Sequence, residues 1–546
     1  MRRTAPAIGP VLALAVIVVP ATPADSLVSH APRAHQVQHR SSTDRVHSPS
    51  RGHIGLDTAS LGATYVSVSW NWIRAASGYR IQLAKKSDFS EPVTTRKKKN
   101  SSHRPAGGRE ATVVGHLKDA RYYWVRVRKV KGSHHGPWSA PERVATKAHV
   151  PDRFTRVRGS AGGQPGTTRL HWSTGGSYTD FYRITTALTP FGSSHTPRVG
   201  RHSASFTVSG DRRSVTLTAA QTAAAGAGLG SGRHLFFRIV AVRQGSADSA
   251  SRRYPFLMHT DVAGEHSTGT GTKLRFGAYN MHVQAKDLRG HPWKKRQHLI
   301  AKNIARVSPA VAGIEELMPG MWNNNDGGVG LHRALRQAGA GRYKLTRDTG
   351  YWDGAGQDTR ILYDSKRVEP VSNCDPTVPS CYISLPDPGH QHIAAYALFR
   401  DLASGQQFYF VSAHLSAGNN PKTDALRGRQ AQAISDGIKA IDNGGLPVVF
   451  ATDSNSSQTS KGSDAPHTVL VNEGWYNTIS AARVVNGQYN SVNHYHRDKP
   501  SPYGFGSMYD TIMTLHMPGA DLWKQVITGS PWPSDHNMIF TEVRLP

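Results

Sequence analysis

Pro531-Trp532-Pro533-Ser534-Asp535-His536-Asn537-Met538-Ile539-Phe540 sets an acid beside an imidazole, between two prolines and an apolar run. The prolines restrict the loop and the apolar run opens a strand, so Asp535 and His536 stand together at a strand edge. A carboxylate next to a general base suits hydrolysis, although one such tripeptide is also an ordinary loop. Four upstream stretches carry matching chemistry: Tyr279-Asn280-Met281, Gly313-Ile314-Glu315-Glu316-Leu317, Val411-Ser412-Ala413-His414-Leu415 and Val449-Phe450-Ala451-Thr452-Asp453-Ser454-Asn455. Each ends an apolar strand in an amide, acid or imidazole. Burying such groups unpaired costs free energy, so five in one segment predict a shared polar cleft.

The donors are Glu, Asp and Asn oxygens without cysteine. That set favours magnesium, manganese or calcium over a zinc-thiolate site. Two histidines at separate strand ends suit proton transfer and contacts to an oxyanion. Together the groups suit attack of water on a phosphate ester.

These residues, in this order, make 273–546 resemble the endonuclease/exonuclease/phosphatase (DNase I-like) superfamily. The resemblance rests on Asn280, the pair Glu315-Glu316, Ala413-His414-Leu415, Thr452-Asp453-Ser454-Asn455, Tyr509-Asp510-Thr511-Ile512 and Ser534-Asp535-His536. It implies an α/β four-layer sandwich with the site at one rim. It implies Glu316 as the main metal ligand, helped by Asn280 and Asp535, and His536 as general base oriented by Asp510. Asp453 would align the water or assist a second metal, and Asn455 and His414 would hold phosphoryl oxygens. Glu315 stands where the family has Gln, adding an expected negative charge near the metal. It is expected to be solvated or to stand behind the ligands. Thr452 and Thr511 also depart from the pattern. Asp358 is the candidate partner for His414.

Outward from this segment the chain changes character. Its 546 residues exceed one core and predict about three domains. The net charge is +29, and residues 1–272 hold 38 Lys and Arg against 14 Asp and Glu. The remainder holds 28 against 23, so the basic surface belongs to the front. Such a surface attracts an anionic polymer, nucleic acid or a cell-surface polyanion, or is a solubilising face.

Residues 1–24 read as an export signal: Arg2 and Arg3, the apolar run 11–19, then small residues at 21–24. Nothing later is long and apolar enough to cross a bilayer. Residues 25–54 predict a disordered leader and 261–272 a linker. Cys374 and Cys381 are the only cysteines, and in an exported chain they predict one disulfide.

Residues 55–147 alternate with period two in Tyr65-Val66-Ser67-Val68-Ser69-Trp70, Gly78–Leu83 and Trp124–Val127. With Leu117 six residues before Tyr123, this stretch resembles a fibronectin type III domain. Residues 150–260 replay it around Trp172 and Tyr182, with an irregular insert at 219–230. Both read as spacers, or as a basic module through Lys97–Lys99 and Arg126–Lys129.

The whole chain therefore predicts two all-β fibronectin type III-like sandwiches followed by the α/β domain. The expected product is a secreted, extracellular, monomeric, metal-dependent phosphodiesterase. A nuclease is favoured. The alternatives are a sphingomyelinase-like phospholipid phosphodiesterase, for which 318–322 is the candidate membrane-docking stretch, and a non-catalytic surface-binding protein. The sequence 493–496 reads as a mobile loop near the cleft.

Overall fold

Strands rich in buried apolar side chains dominate the C-terminal half, and they stack into two sheets. The computed structural model describes residues 54–173, 177–189, 203–283, 290–318, 321–322, 330–346, 359–371, 381–388, 392–442, 445–460 and 463–546. The expected signal and leader, together with Asp358 and Cys374, lie outside the described residues. No described cysteine is a free thiol.

In the first sheet Lys273–Asn280 lies between Val311–Glu315, parallel to it, and Ile539–Arg544, antiparallel. A parallel pair needs a crossover, and the helix Trp293–Val307 supplies it. The second sheet repeats this plan. Gln407–His414 runs parallel to Val448–Asp453 through the helix Pro421–Ile441, and Asp510–Leu515 pairs antiparallel on the far side.

Phe276, Phe410, Val449, Ile512 and Ile539 fill the space between the sheets. Ile300 and Ile304 cover one outer face, and Ile434 and Ile438 cover the other. The result is the four-layer α/β sandwich that the resemblance implies. The sheets approach closely at Gly313, where an added Cβ would fall 2.8 Å from both Ser412 Oγ and Ala451 Cβ. Glycine there lets the two sheets close beside the strand ends that carry the polar groups.

Ahead of this half stand two β-sandwiches. In the first, Asp57–Ser60, Val66–Asn71 and Arg109–Val114 face a sheet built on Pro92–Lys99, Gly78–Ala84 and Tyr122–Lys131. Trp70 packs on Tyr79 at 5.1 Å between centroids. Trp172 and Tyr182 repeat that pair at 4.9 Å in the second sandwich. The Tyr123 hydroxyl accepts from Lys118 N at 2.9 Å, closing the corner that the Leu117 to Tyr123 spacing suggests. The insert expected to be irregular holds a helix, Ala219–Ala224. Thr218 and Gln221 form its capping box, a signal visible in the sequence.

The second sandwich is docked on the α/β half. Arg233 pairs with Asp464 at 3.2 Å and donates to Thr468 Oγ1 at 2.8 Å. Gln458 Nε2 donates to the carbonyls of Leu188 (2.8 Å) and His234 (2.6 Å). The His234 ring stacks on Phe505 at 4.1 Å.

Candidate active site

Backbone register brings the polar strand ends together before any side chain is considered. Asn280 stands opposite Glu315 in one sheet, and Asp453 lies between His414 and Asp510 in the other. The loop carrying Ser534, Asp535 and His536 joins them where Ser534 Oγ donates to Asn280 O at 2.8 Å.

Asn280 links the sheets. Its Nδ2 donates to Glu316 Oε1 at 2.9 Å and to Asp453 Oδ2 at 3.0 Å. Glu316 Oε2 accepts from Val283 N at 2.8 Å. The chain turns out of its strand at Glu316 with φ +60, and Asn455 has φ +50. Left-handed backbone at non-glycine residues is uncommon and clusters at functional sites.

His536 Nδ1 lies 2.9 and 3.1 Å from the two oxygens of Asp510. Its Nε2 faces Asp453 Oδ2 at 3.6 Å. Ligand atoms of Asp453, Asp510 and His536 all lie within 4.8 Å of one another, and all three residues are buried. Burial alone would lower the His536 pKa, but the Asp510 and Asp453 carboxylates overcome it and hold it well above the ordinary value. Burial would raise Asp453, but His536 and His414 keep it below the usual range. For Asp510 burial wins over His536, and its pKa is raised.

Asn455 Nδ2 sits 2.9 Å from His414 Nε2, and His414 Nε2 lies 3.5 Å from Asp453 Oδ2. His414 Nδ1 is buried and unpartnered among the described residues. Asp535 Oδ1 meets His282 Nδ1 at 3.1 Å. Burial would raise its pKa, but that bond and the His536 charge pull it down to about 2.

Asn280, Glu316, His414, Asp453, Asn455, Asp510 and His536 are therefore brought together, with Asp535 beside His536. Three features differ from expectation. Glu315 is fully buried, not solvated, and neither of its carboxylate oxygens has a partner among the described residues. Burial, then Asp510 and Asp453, push its pKa far up, which favours the neutral acid, close in shape to Gln.

The 493–496 loop is anchored: Asn493 N and His494 N donate to Asp535 O at 2.6 and 3.1 Å, and Tyr495 stacks on His291 at 4.0 Å. In 318–322, Met321 is fully buried, while Met318 and Trp322 pack against the core. These three side chains are not an exposed docking surface.

Sequence reasoning also missed Arg296. It is buried and donates to the carbonyls of Met281 (2.5 Å), His282 (2.9 Å) and Pro533 (3.2 Å). It thereby ties the Asn280 strand end to the Asp535 loop. The signal was faint: one Arg at an otherwise apolar helical spacing. A cavity of about 30 Å³ separates Asp510 from Arg233, Gln458 and Asp464, so the second sandwich stands directly behind the site.

The pocket fits a hard cation. Asp453, Asp510 and His536 place ligand atoms within 4.8 Å of one another, and Glu316 and Asp535 offer further carboxylate oxygens, whereas the Asn280 amide oxygen accepts from His282 N at 2.9 Å.

No protein-family model matches the chain, and no curated protein matches its sequence. Among solved structures, it is similar to an endonuclease/exonuclease/phosphatase from Bacteroides vulgatus. That match has 22% identity over 50% of this chain and 100% of the other, with a TM-score of 0.40. A mannosyl-6-phosphatase from Bacteroides thetaiotaomicron matches at 17% over 50% and 99%, TM-score 0.37. The human Nocturnin catalytic domain matches at 16% over 50% and 94%, TM-score 0.36.

Proposed function

We propose that residues 273–546 form a divalent-metal-dependent phosphoric ester hydrolase, and that its substrate is nucleic acid. The convergence of Asp453, Asp510 and His536 within 4.8 Å carries this reading. Asp510 fixes the His536 ring through Nδ1, leaving Nε2 to take a proton from water. Asp453 Oδ2, 3.6 Å from that nitrogen, aligns the water. Asn455 and His414 hold the phosphoryl oxygens, and Glu315 stays neutral behind them. Glu316, Asn280 and Asp535 would hold the metal, magnesium, manganese or calcium. When bound, it would neutralise phosphate charge and lower the barrier to attack.

The chain is read as exported and monomeric, with two fibronectin type III-like domains (55–147 and 150–260), a 261–272 linker and a Cys374–Cys381 disulfide. Among the described residues no helix is long and apolar enough to cross a membrane. A phospholipid substrate has no support from 318–322, whose described side chains pack inward.

The test is to incubate the purified protein with plasmid DNA, RNA and sphingomyelin, each with magnesium or chelator. Metal-dependent cleavage of nucleic acid, lost in His536→Ala, is expected. Cleavage of the lipid alone, or activity indifferent to chelator, overturns the assignment.

A further inference from the structure

The outer face of the first sandwich concentrates cations without counter-charges. In Pro92–Lys99 the alternation points Lys97 and Lys99 outward and Lys98 inward, where it pairs with the buried Glu110 at 3.0 Å. Register then aligns Lys97, Arg80 and Arg128 in one row across three strands. Neighbouring strands lie about 4.8 Å apart, so the three charges are packed side by side. Arg126 is on the same face, one step along its strand.

Two of these groups are held in place by rings. The Arg126 guanidinium lies 4.0 Å from the Phe89 centroid and 4.5 Å from that of Trp138, and Gln82 Oε1 accepts from its Nε and Nη2 at 2.8 and 2.6 Å. Arg128 rests on the same Trp138 at 4.4 Å. Cation–π contact and a fixed hydrogen bond pre-organise the guanidinium groups without neutralising them.

A solubilising surface would mix the signs. Here the sandwich has acids and uses them elsewhere: Glu91 with Lys85 and Lys86, Glu110 with Lys98, and Asp119 with Arg243 of the second sandwich. Among the described residues no carboxylate pairs with Lys97, Lys99, Arg80, Arg126 or Arg128. The field is felt at His135, whose pKa is lowered by lost hydration and then by Arg128, Arg80 and Lys97.

We infer that this face binds a single-stranded nucleic-acid segment, its phosphates on the Lys97–Arg80–Arg128 row and its bases against the Trp138–guanidinium ladder. Rigid guanidinium groups fit phosphate oxygens, and interleaved planar groups accept stacked bases. The choice of polymer rests on the phosphodiesterase reading of the C-terminal half. The basic front would then be a substrate-holding module, not a spacer.

The experiment uses the full chain carrying His536→Ala, in chelator, so that the strand stays intact. Anisotropy of a labelled single-stranded DNA of about 16 nucleotides is followed against salt. The triple variant Lys97→Glu, Arg80→Glu, Arg128→Glu should bind at least about 10-fold more weakly. Its log–log salt slope should fall by about 2, from about 0.7 per lost phosphate contact. With His536 restored, turnover of a small chromogenic phosphodiester should be unchanged, because that substrate cannot reach the face.

Unchanged affinity and slope overturn the proposal. So does tighter, row-dependent binding of a sulfated polysaccharide of equal charge. Row-dependent DNA binding with no turnover of any ester leaves this face assigned and overturns the catalytic reading instead. If the triple variant unfolds, Lys97→Gln with Arg80→Gln reads the same slope, with an expected fall of about 1.4.

Discussion

Arg233→Ala tests whether the second sandwich braces the active site. Arg233 Nη2 donates to Asp464 O (3.3 Å), Asp464 Oδ2 (3.2 Å) and Thr468 Oγ1 (2.8 Å). Both partners of the ion pair are 8% exposed. Removing one member of a buried pair costs about 3–5 kcal/mol, mostly because the other charge is stranded. Asp464 keeps His467 Nδ1 at 2.5 Å and Ser456 Oγ at 3.0 Å, which places the loss near the lower end, about 3 kcal/mol.

Ser456 adjoins Asn455, so the disturbance should reach catalysis as well as stability. Guanidinium denaturation gives the first quantity and small-ester turnover the second. Turnover should fall in kcat with KM held, and Arg233→Lys should restore part of it. In a double-mutant cycle with Asp464→Asn, the two losses should fall short of additivity by about 1–3 kcal/mol. A loss under about 0.5 kcal/mol with an additive cycle would show the sandwich to be a passive neighbour.

Four further outcomes follow from the site. Asp510→Asn should lower kcat by about 10²–10⁴-fold. It should also move the acidic limb of kcat/KM to lower pH, since His536 loses a carboxylate that holds its proton; a limb that stays or rises contradicts the dyad. The same raised His536 pKa makes its stabilisation of the metal-free protein full below about pH 6.5, and lost as pH rises through the folded value, which thermal melts across pH will read. Glu315→Gln should be nearly neutral, within about 1 kcal/mol and a few-fold in kcat, because a buried neutral acid is replaced by an amide of its own shape. A large kcat loss would instead mark Glu315 as an ionised ligand. Magnesium at 100 times its Kd should raise stability by about 2.7 kcal/mol, and Asp535→Ala with Glu316→Ala should abolish that gain.

The sequence alone fixed the order of chemistry along the chain. Apolar strands that lead into Asn280, Glu316, His414 and Asp453, and one that follows His536, are visible because side-chain alternation and helical spacing are local properties. The same locality exposed the twin Trp–Tyr sandwiches and the uneven charge. It could not show which polar group is neutral, which helix basic residue turns inward, or which surface acid finds a cation more than two hundred residues away. Glu315 is fully buried, and that burial pushes its pKa up. Arg296 is buried where carbonyls of the Met281–His282 segment and of Pro533 meet it. Arg233 reaches Asp464 only once a sandwich docks beside the site. Each depends on desolvation and long-range contact, which are properties of the assembled fold and have no period along the chain.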